Sequence, residues 1–194
     1  MITASITIRG VAPYSQSKFV DVPKLSKETH DDFEKRTWFE RVHLNDDGLP
    51  VMPAMALKKA LEGAAGYLGK IPGQRNATYT KRVKSGLLIT EDLPLYLDSG
   101  ARVTRDDVLS DWLFLDAGGK AGQGSTRVKR RMPKIASGWR ATTTVYVADD
   151  VITQDVMKDL IHNAGLFVGV GRWRPAVGGL HGRFVLDKIE WSNG

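Results

Sequence analysis

The chain has 194 residues, 28 Lys plus Arg against 22 Asp plus Glu, a net charge of +6 and no cysteine. That length suffices for a proper core, the 42% apolar fraction is that of a folded chain, and zero cysteines exclude a disulfide framework, a thiol nucleophile and a thiolate metal site. No apolar run approaches the roughly 20 residues of a membrane span, and Ile2-Thr3-Ala4-Ser5-Ile6 is not the start of a signal peptide, so a soluble cytoplasmic protein with no membrane contact is expected.

Ile2 to Arg9 alternates apolar and polar residues, which predicts a half-buried strand ended by Gly10. Val11 to Asn45 is polar and irregular, and reads as a long excursion with one short helix near Asp31 to Phe39. Asn45-Asp46-Asp47-Gly48 is a turn. Pro53 opens a helix whose stripe is Leu57, Leu61, Ala64 and Leu68, ended by Gly69 and Pro72. Strands are expected around Val83 to Ile89, Leu93 to Leu97 and Val108 to Leu115, and again from Trp139 to Val147. Gly118 to Ser125 has too little apolar content to pack, so residues 117–140 are expected to form a basic, Gly-rich loop. Thr153 caps a second helix with Asp155 in its first turn and Val156, Leu160, Ile161 and Ala164 on its buried face; Gly165 is its expected stop. Leu166 to Val170 and Phe184 to Trp191 complete the strands. Strand, excursion, helix, strand, followed by strand, helix, strand, is a doubled βαβ plan. The expected fold is therefore α+β, a modified ferredoxin-like domain over residues 1–194 with insertions at 11–47 and 117–140.

The charge is segregated. Gly63 to Thr90, Ala117 to Ala148 and Leu160 to Leu186 contain no acid and together carry +15, leaving −9 for the rest. Such a division is expected of a polyanion-binding face on an acidic body, although charge runs also form plain solvated faces. The candidate contacts are Lys81, Arg82 and Lys84; Lys120, Arg127, Lys129, Arg130, Arg131, Lys134 and Arg140; and Arg172, Trp173, Arg174, His181 and Arg183. In the segment from Gly171 to Arg183, glycines would let the backbone approach a ligand, the arginines would pair with phosphate and Trp173 would offer a stacking face. The bland alternative is a tight connection whose Trp is core.

Other chemistry is poorly supported. Gly119-Lys120-Ala121 lacks the hydroxyl of a phosphate loop. No His-x-x-x-His pair or carboxylate cluster has metal-ligand spacing, and no cofactor is expected. His43 and His181 are the histidines that could serve metal-independent RNA cleavage, against the more ordinary reading of surface or structural histidines.

Three segments resemble the RAMP superfamily, the RNA-recognition-motif-like proteins of CRISPR systems, and within it the subunit that repeats along the guide RNA. They are the opening strand with its excursion, the turn-strand-Pro segment Gly48-Leu49-Pro50-Val51-Met52-Pro53 running into Ala54 to Leu61, and the Gly-rich stretch before the last strand. Ala54 and Met55 stand where Gly and Ser are usual, and Ala60 replaces a helix Gly. The resemblance implies RNA contact by the Gly-rich stretch and carries over no catalytic residue. A virus- or mobile-element-encoded relative fits the departures as well. Together these readings make the expectation a non-enzymatic binder of single-stranded RNA or DNA that assembles along the strand, with CRISPR effector subunits as partners. The alternatives are a guide-processing endoribonuclease and a phage protein that binds or mimics a CRISPR complex.

Overall fold

A computed structural model describes residues 1–116 and 127–192. In chain order they form β1 (Ile2–Gly10), β2 (Tyr14–Ser15), α1 (His30–Thr37), β3 (Val51–Met52), α2 (Ala54–Ala64), α3 (Tyr79–Gly86), β4 (Leu87–Leu88), β5 (Leu93–Tyr96), β6 (Val108–Asp116), β7 (Arg127–Ile135), β8 (Arg140–Val147), α4 (Gln154–Asn163) and β9 (Phe184–Ser192), with short 3-10 turns between some of them.

The predicted alternation of β1 is realised. Ala4, Ile6 and Ile8 are fully buried and their neighbours are not. Helix α2 lays Leu57, Ala60, Leu61 and Ala64 on this core, and α4 adds Met157, Leu160 and Ile161. Each fully buried Leu or Ile contributes about 1.5–3 kcal/mol. The main sheet runs β3-β5-β8-β1-β9, with β4 also paired to β8, and every pairing is antiparallel. Thus β1–α2–β4/β5 and β8–α4–β9 are two interleaved βαβ halves, the ferredoxin-like arrangement expected from the sequence.

The second strand of the first half is interrupted between β4 and β5, and the interruption is useful. Pro53 sits at the N-cap of α2 and has no side chain to cap it. Asp92, carried by the interruption, accepts the Ala54 N–H at 2.9 Å instead.

Three segments differ from expectation. Residues 79–86 are helical, because Tyr79, Val83 and Gly86 are buried at helical spacing; the apolar residues from Val83 to Ile89 had looked like one strand, but only Leu87–Leu88 pair. Gly165 does not stop α4. The chain continues through a π-type turn over Ala164–Val168 and ends at Gly169, with φ +71°, so Leu166 to Val170 is not a strand. Gly165 is small for another reason: a Cβ there would lie 1.9 Å from the Phe184 carbonyl oxygen. Finally, the cluster from Arg127 to Lys134 is not part of a loop. It is strand β7, paired with β6 along nine residues in a second sheet of order β2-β7-β6. The rest of the Gly-rich run expected to be a loop lies at residues 117–126, outside the described residues, and Lys120 with it.

Candidate nucleic-acid interface

The charged excursion folds onto the basic strand. β2 covers one edge of β7 only at Ile135 and Lys134. Beyond that point α1 takes over. The Lys129 carbonyl meets His30 Nε2 at 2.7 Å, and the Arg131 N–H donates to Glu34 at 2.9 Å. Side chains thus satisfy backbone groups that an open strand edge would leave bare.

The same contacts pair most of the strand's charge. Lys129 reaches Asp31 at 2.9 Å and lies over the Trp112 ring, 4.3 Å from its centre. Glu34 is fully buried and holds Arg130 at 2.7 Å and Arg41 at 2.8 Å. Arg131 donates to Ser110 at 2.8 Å and sits over Trp38, and Lys134 pairs with Asp111. The acid-free window is therefore not a free-charge window, because its partners come from outside it: Asp31 and Glu34 about 100 residues away, and Ser110 and Asp111 on β6.

One cleft keeps an excess of cations. It has a volume of about 380 Å³, and Lys18, Arg41, Arg130 and Arg172 line it with Phe33 and Phe19. Its described lining holds four cations and no acid; Glu34, outside that lining, pairs with Arg41 and Arg130. Each cation is positioned by the fold. Lys18 is tethered by its N–H to the Arg41 carbonyl at 2.9 Å. Arg130 shares a face of β7 with Val128 and Met132, which also line the cleft. Arg172 is pinned to β2: its N–H donates to the Ser15 carbonyl at 2.8 Å and its carbonyl accepts from the Ser15 hydroxyl. The Arg172 side chain is exposed and has no ion-pair partner among the described residues. Phe19 is 84% exposed, so its ring face is open to solvent.

The Gly-rich segment works differently from the sequence reading. Its glycines admit the chain's own backbone. A Cβ would lie 2.2 Å from the Ser15 carbonyl oxygen at Gly171 and 1.8 Å from that of Trp173 at Gly179. The amides of Val170, Arg172, Gly179, His181 and Gly182 all donate within the protein. Trp173 does not stand free as a stacking platform. It is half-buried, at φ +56°, edge-on to His181 with ring centres 4.8 Å apart. Arg174 donates to the Gly171 carbonyl at 3.0 Å, and Arg183 is half-buried, its carbonyl accepting from Val11 and Ala12.

Two other groups of expected contacts lie elsewhere. Arg140 points to the open face of the main sheet, where Asp98 at 2.8 Å and Asp187 at 3.2 Å engage it. Lys81, Arg82 and Lys84 stand on α3. Its C-terminus feeds Leu87, which pairs with Val147, the residue opposite Ile2. The cleft lies beyond the other end of β1, a strand of nine residues and so about 27 Å long at about 3.4 Å per residue. The three acid-free windows do not merge into one face. Arg127 lies at the start of β7, at the hairpin's outer end.

The architecture has counterparts among solved structures. The chain is similar to a chain of the Type III-B Cmr-beta complex bound to cognate target RNA, at 17% identity and a TM-score of 0.51, over 98% of this chain and 60% of that one. It is also similar to Cmr6 from Pyrococcus furiosus, at 13% identity and a TM-score of 0.50, over 96% of this chain and 99% of that one. The chain has the fold of the RAMP-type CRISPR subunits. This is a likeness of fold, and the chain spans 60% of the Cmr-beta chain's length. No protein-family model and no curated protein matches the sequence.

On this RAMP-type fold the sequence reading found Arg130 and Arg172 but missed Lys18, Phe19, Arg41 and Glu34. The signal was faint: Lys18-Phe19-Val20 is an isolated apolar pair beside a lysine in a polar stretch. Nothing local says that it meets β7. Among the described residues, no cluster of three or more His, Asp or Glu side chains could hold a metal ion, and no helix is long and apolar enough to cross a membrane.

The two histidines named above are both held neutral by their surroundings. Burial, then the nearby Lys18, lowers the pKa of His43, against the opposing pull of Asp92. Burial, then Lys134, lowers that of His181, against Asp111. His181 is 8% exposed and its Nδ1 has no hydrogen-bond partner. A depressed histidine pKa means that the unfolded chain binds more protons just below the ordinary histidine value of about 6.5. Stability should therefore fall as pH drops from 7.5 through that value towards the lowered ones. Urea midpoints at pH 7.5 and 5.5 check this. His43→Gln and His181→Asn together should flatten the difference, and an unchanged pH dependence would disprove the assignment.

Proposed function

We propose that this protein is a non-enzymatic subunit that binds single-stranded nucleic acid, RNA before DNA, and assembles along it beside other CRISPR effector subunits. The observation that carries the reading is the cleft lined by Lys18, Arg41, Arg130 and Arg172 together with an exposed Phe19, with no acid in its described lining. Excess cations attract phosphates, and Phe19 offers a face for a base. Arg41 is buried against Glu34 and serves to orient that carboxylate. Lys18, Arg130 and Arg172 are the phosphate contacts. The RNA-bound Cmr-beta assembly supports RNA as the first choice.

Binding of fluorescent oligonucleotides across a salt series tests this. Three phosphate contacts give a slope of log K against log salt of about −2, at roughly −0.7 per contact. Arg130→Ala with Arg172→Ala should weaken binding of all sequences alike and bring the slope towards zero by about 1.4. Phe19→Ala should cost about 1–3 kcal/mol without changing the slope. A flat salt response in the unaltered protein would sink the reading.

A further inference from the structure

The α3 end of the main sheet carries a second cluster of cations that the cleft does not use. Residues 63–90 contain Lys70, Arg75, Lys81, Arg82 and Lys84 and no acid. Lys81, Arg82 and Lys84 are all exposed on α3. A pocket of about 560 Å³ opens beside Lys81 and Arg82, with Lys84 one helical turn beyond Lys81 and outside the lining; its α3 side is formed by Asn76, Thr78, Lys81, Arg82 and Ser85. The last four recur at spacings of 3, 4 and 7, so they share one face of the helical turn.

The cluster differs from the basic strand β7 in its pairing. Asp149 takes Arg82 at 3.1 Å through Nη1 and so fixes the guanidinium at the pocket wall. That carboxylate is the acid lining the pocket. Lys81 and Lys84 have no ion-pair partner among the described residues. Lysines four or more atoms from the backbone keep a mobile, hydrated charge, suited to phosphates as a point charge rather than as a fork. The Thr78 hydroxyl and the Asn76 amide add donors without adding negative charge, while the Ser85 hydroxyl donates to the Lys81 carbonyl at 2.9 Å.

We infer that the α3 pocket is a second phosphate-binding site, which takes the backbone of the same single strand beyond the opposite end of β1 from the cleft. This deepens the nucleic-acid reading and rests on it. The strand then crosses the protein between two cationic ends, and the affinity gain appears only with oligonucleotides long enough to reach both.

The test compares three proteins, unaltered, Lys81→Ala with Lys84→Ala, and Arg130→Ala with Arg172→Ala, on oligonucleotides of rising length. Both lysines are exposed, and Ala favours a helix, so the α3 variant should fold as the unaltered protein does, which circular dichroism confirms. The expected result is that the α3 variant binds the shortest oligonucleotides as the unaltered protein does. It should lose about tenfold on long ones at 0.15 M salt, with the slope moved towards zero by about 1.4, the effect of two contacts at roughly 0.7 each. Lys81→Arg with Lys84→Arg should retain binding. If the α3 variant matches the unaltered protein at every length, the α3 site is overturned and the cleft stands. If the cleft variant matches it while the α3 variant loses binding, the cleft falls and the α3 site stands. If the unaltered protein binds no oligonucleotide, both fall. A titration with inorganic phosphate separates a backbone site from a small-anion site: saturable phosphate binding that long oligonucleotides do not displace would overturn the proposal.

Discussion

Replacing Glu34 by Ala is expected to destabilise the protein by about 3–5 kcal/mol, the cost of breaking a buried ion pair from one side. Glu34 has no exposed surface and accepts three bonds, from Arg41 at 2.8 Å, Arg130 at 2.7 Å and the Arg131 N–H at 2.9 Å. Truncation strands the charge of Arg41, which is only 6% exposed, and bares a backbone donor on the edge of β7. Arg130 is less affected, since about a third of its side chain already meets water. Urea unfolding gives the answer directly. A paired replacement, Glu34→Leu with Arg41→Leu, should recover much of the loss, because it removes the buried charges together. A loss below about 1 kcal/mol for Glu34→Ala would show that α1 does not clamp β7.

The second large effect is at Gly182. Its φ is +74°, and an added Cβ would lie 1.8 Å from the Val170 carbonyl oxygen. The neighbouring bonds cannot yield cheaply: the Gly182 carbonyl accepts from Val170 at 2.9 Å and its N–H donates to Pro13 at 2.7 Å. Gly182→Ala should therefore cost about 3 kcal/mol or more, combining left-handed strain with a backbone clash. Gly178→Ala is the control. Its φ is +76° but nothing lies within 4 Å of the added Cβ, so only the strain of about 1–2 kcal/mol remains. Thermal melts of the two variants should separate them clearly. Equal losses would mean that close approach plays no part at Gly182.

The βαβ duplication was legible because β1, α2 and α4 announce themselves by period. Ile2 to Arg9 alternates, and Leu57, Leu61 and Ala64 recur at helical spacing. The misreadings share one physical cause. Helix α3 is eight residues long with three buried positions, too few for its period to outweigh the apolar run that follows. The turn after Asn163 was read as a strand because Gly165 looked like a stop, whereas it is a packing contact with Phe184.

Charge misled most. A count along the sequence records neighbours in the chain, while electrostatics depends on neighbours in space. Asp31 and Glu34 are about 100 residues from the lysine and arginine they meet. Arg172, named from the sequence, does line the cleft: its segment packs against β2 through backbone bonds, and its guanidinium has no ion-pair partner among the described residues.

The central place of β1 has a consequence for how the chain acquires its structure. The strand is made well before both of its partners: Ile2 pairs with Val147 and Thr3 with Ser192. During synthesis its apolar face, Ala4, Ile6 and Ile8, waits uncovered while more than a hundred residues follow. Pairings this distant in sequence make folding slow and expose the waiting strand to wrong partners. The threonines and serine on its other face, Thr3, Ser5 and Thr7, keep one side of that strand compatible with water until the last strand arrives.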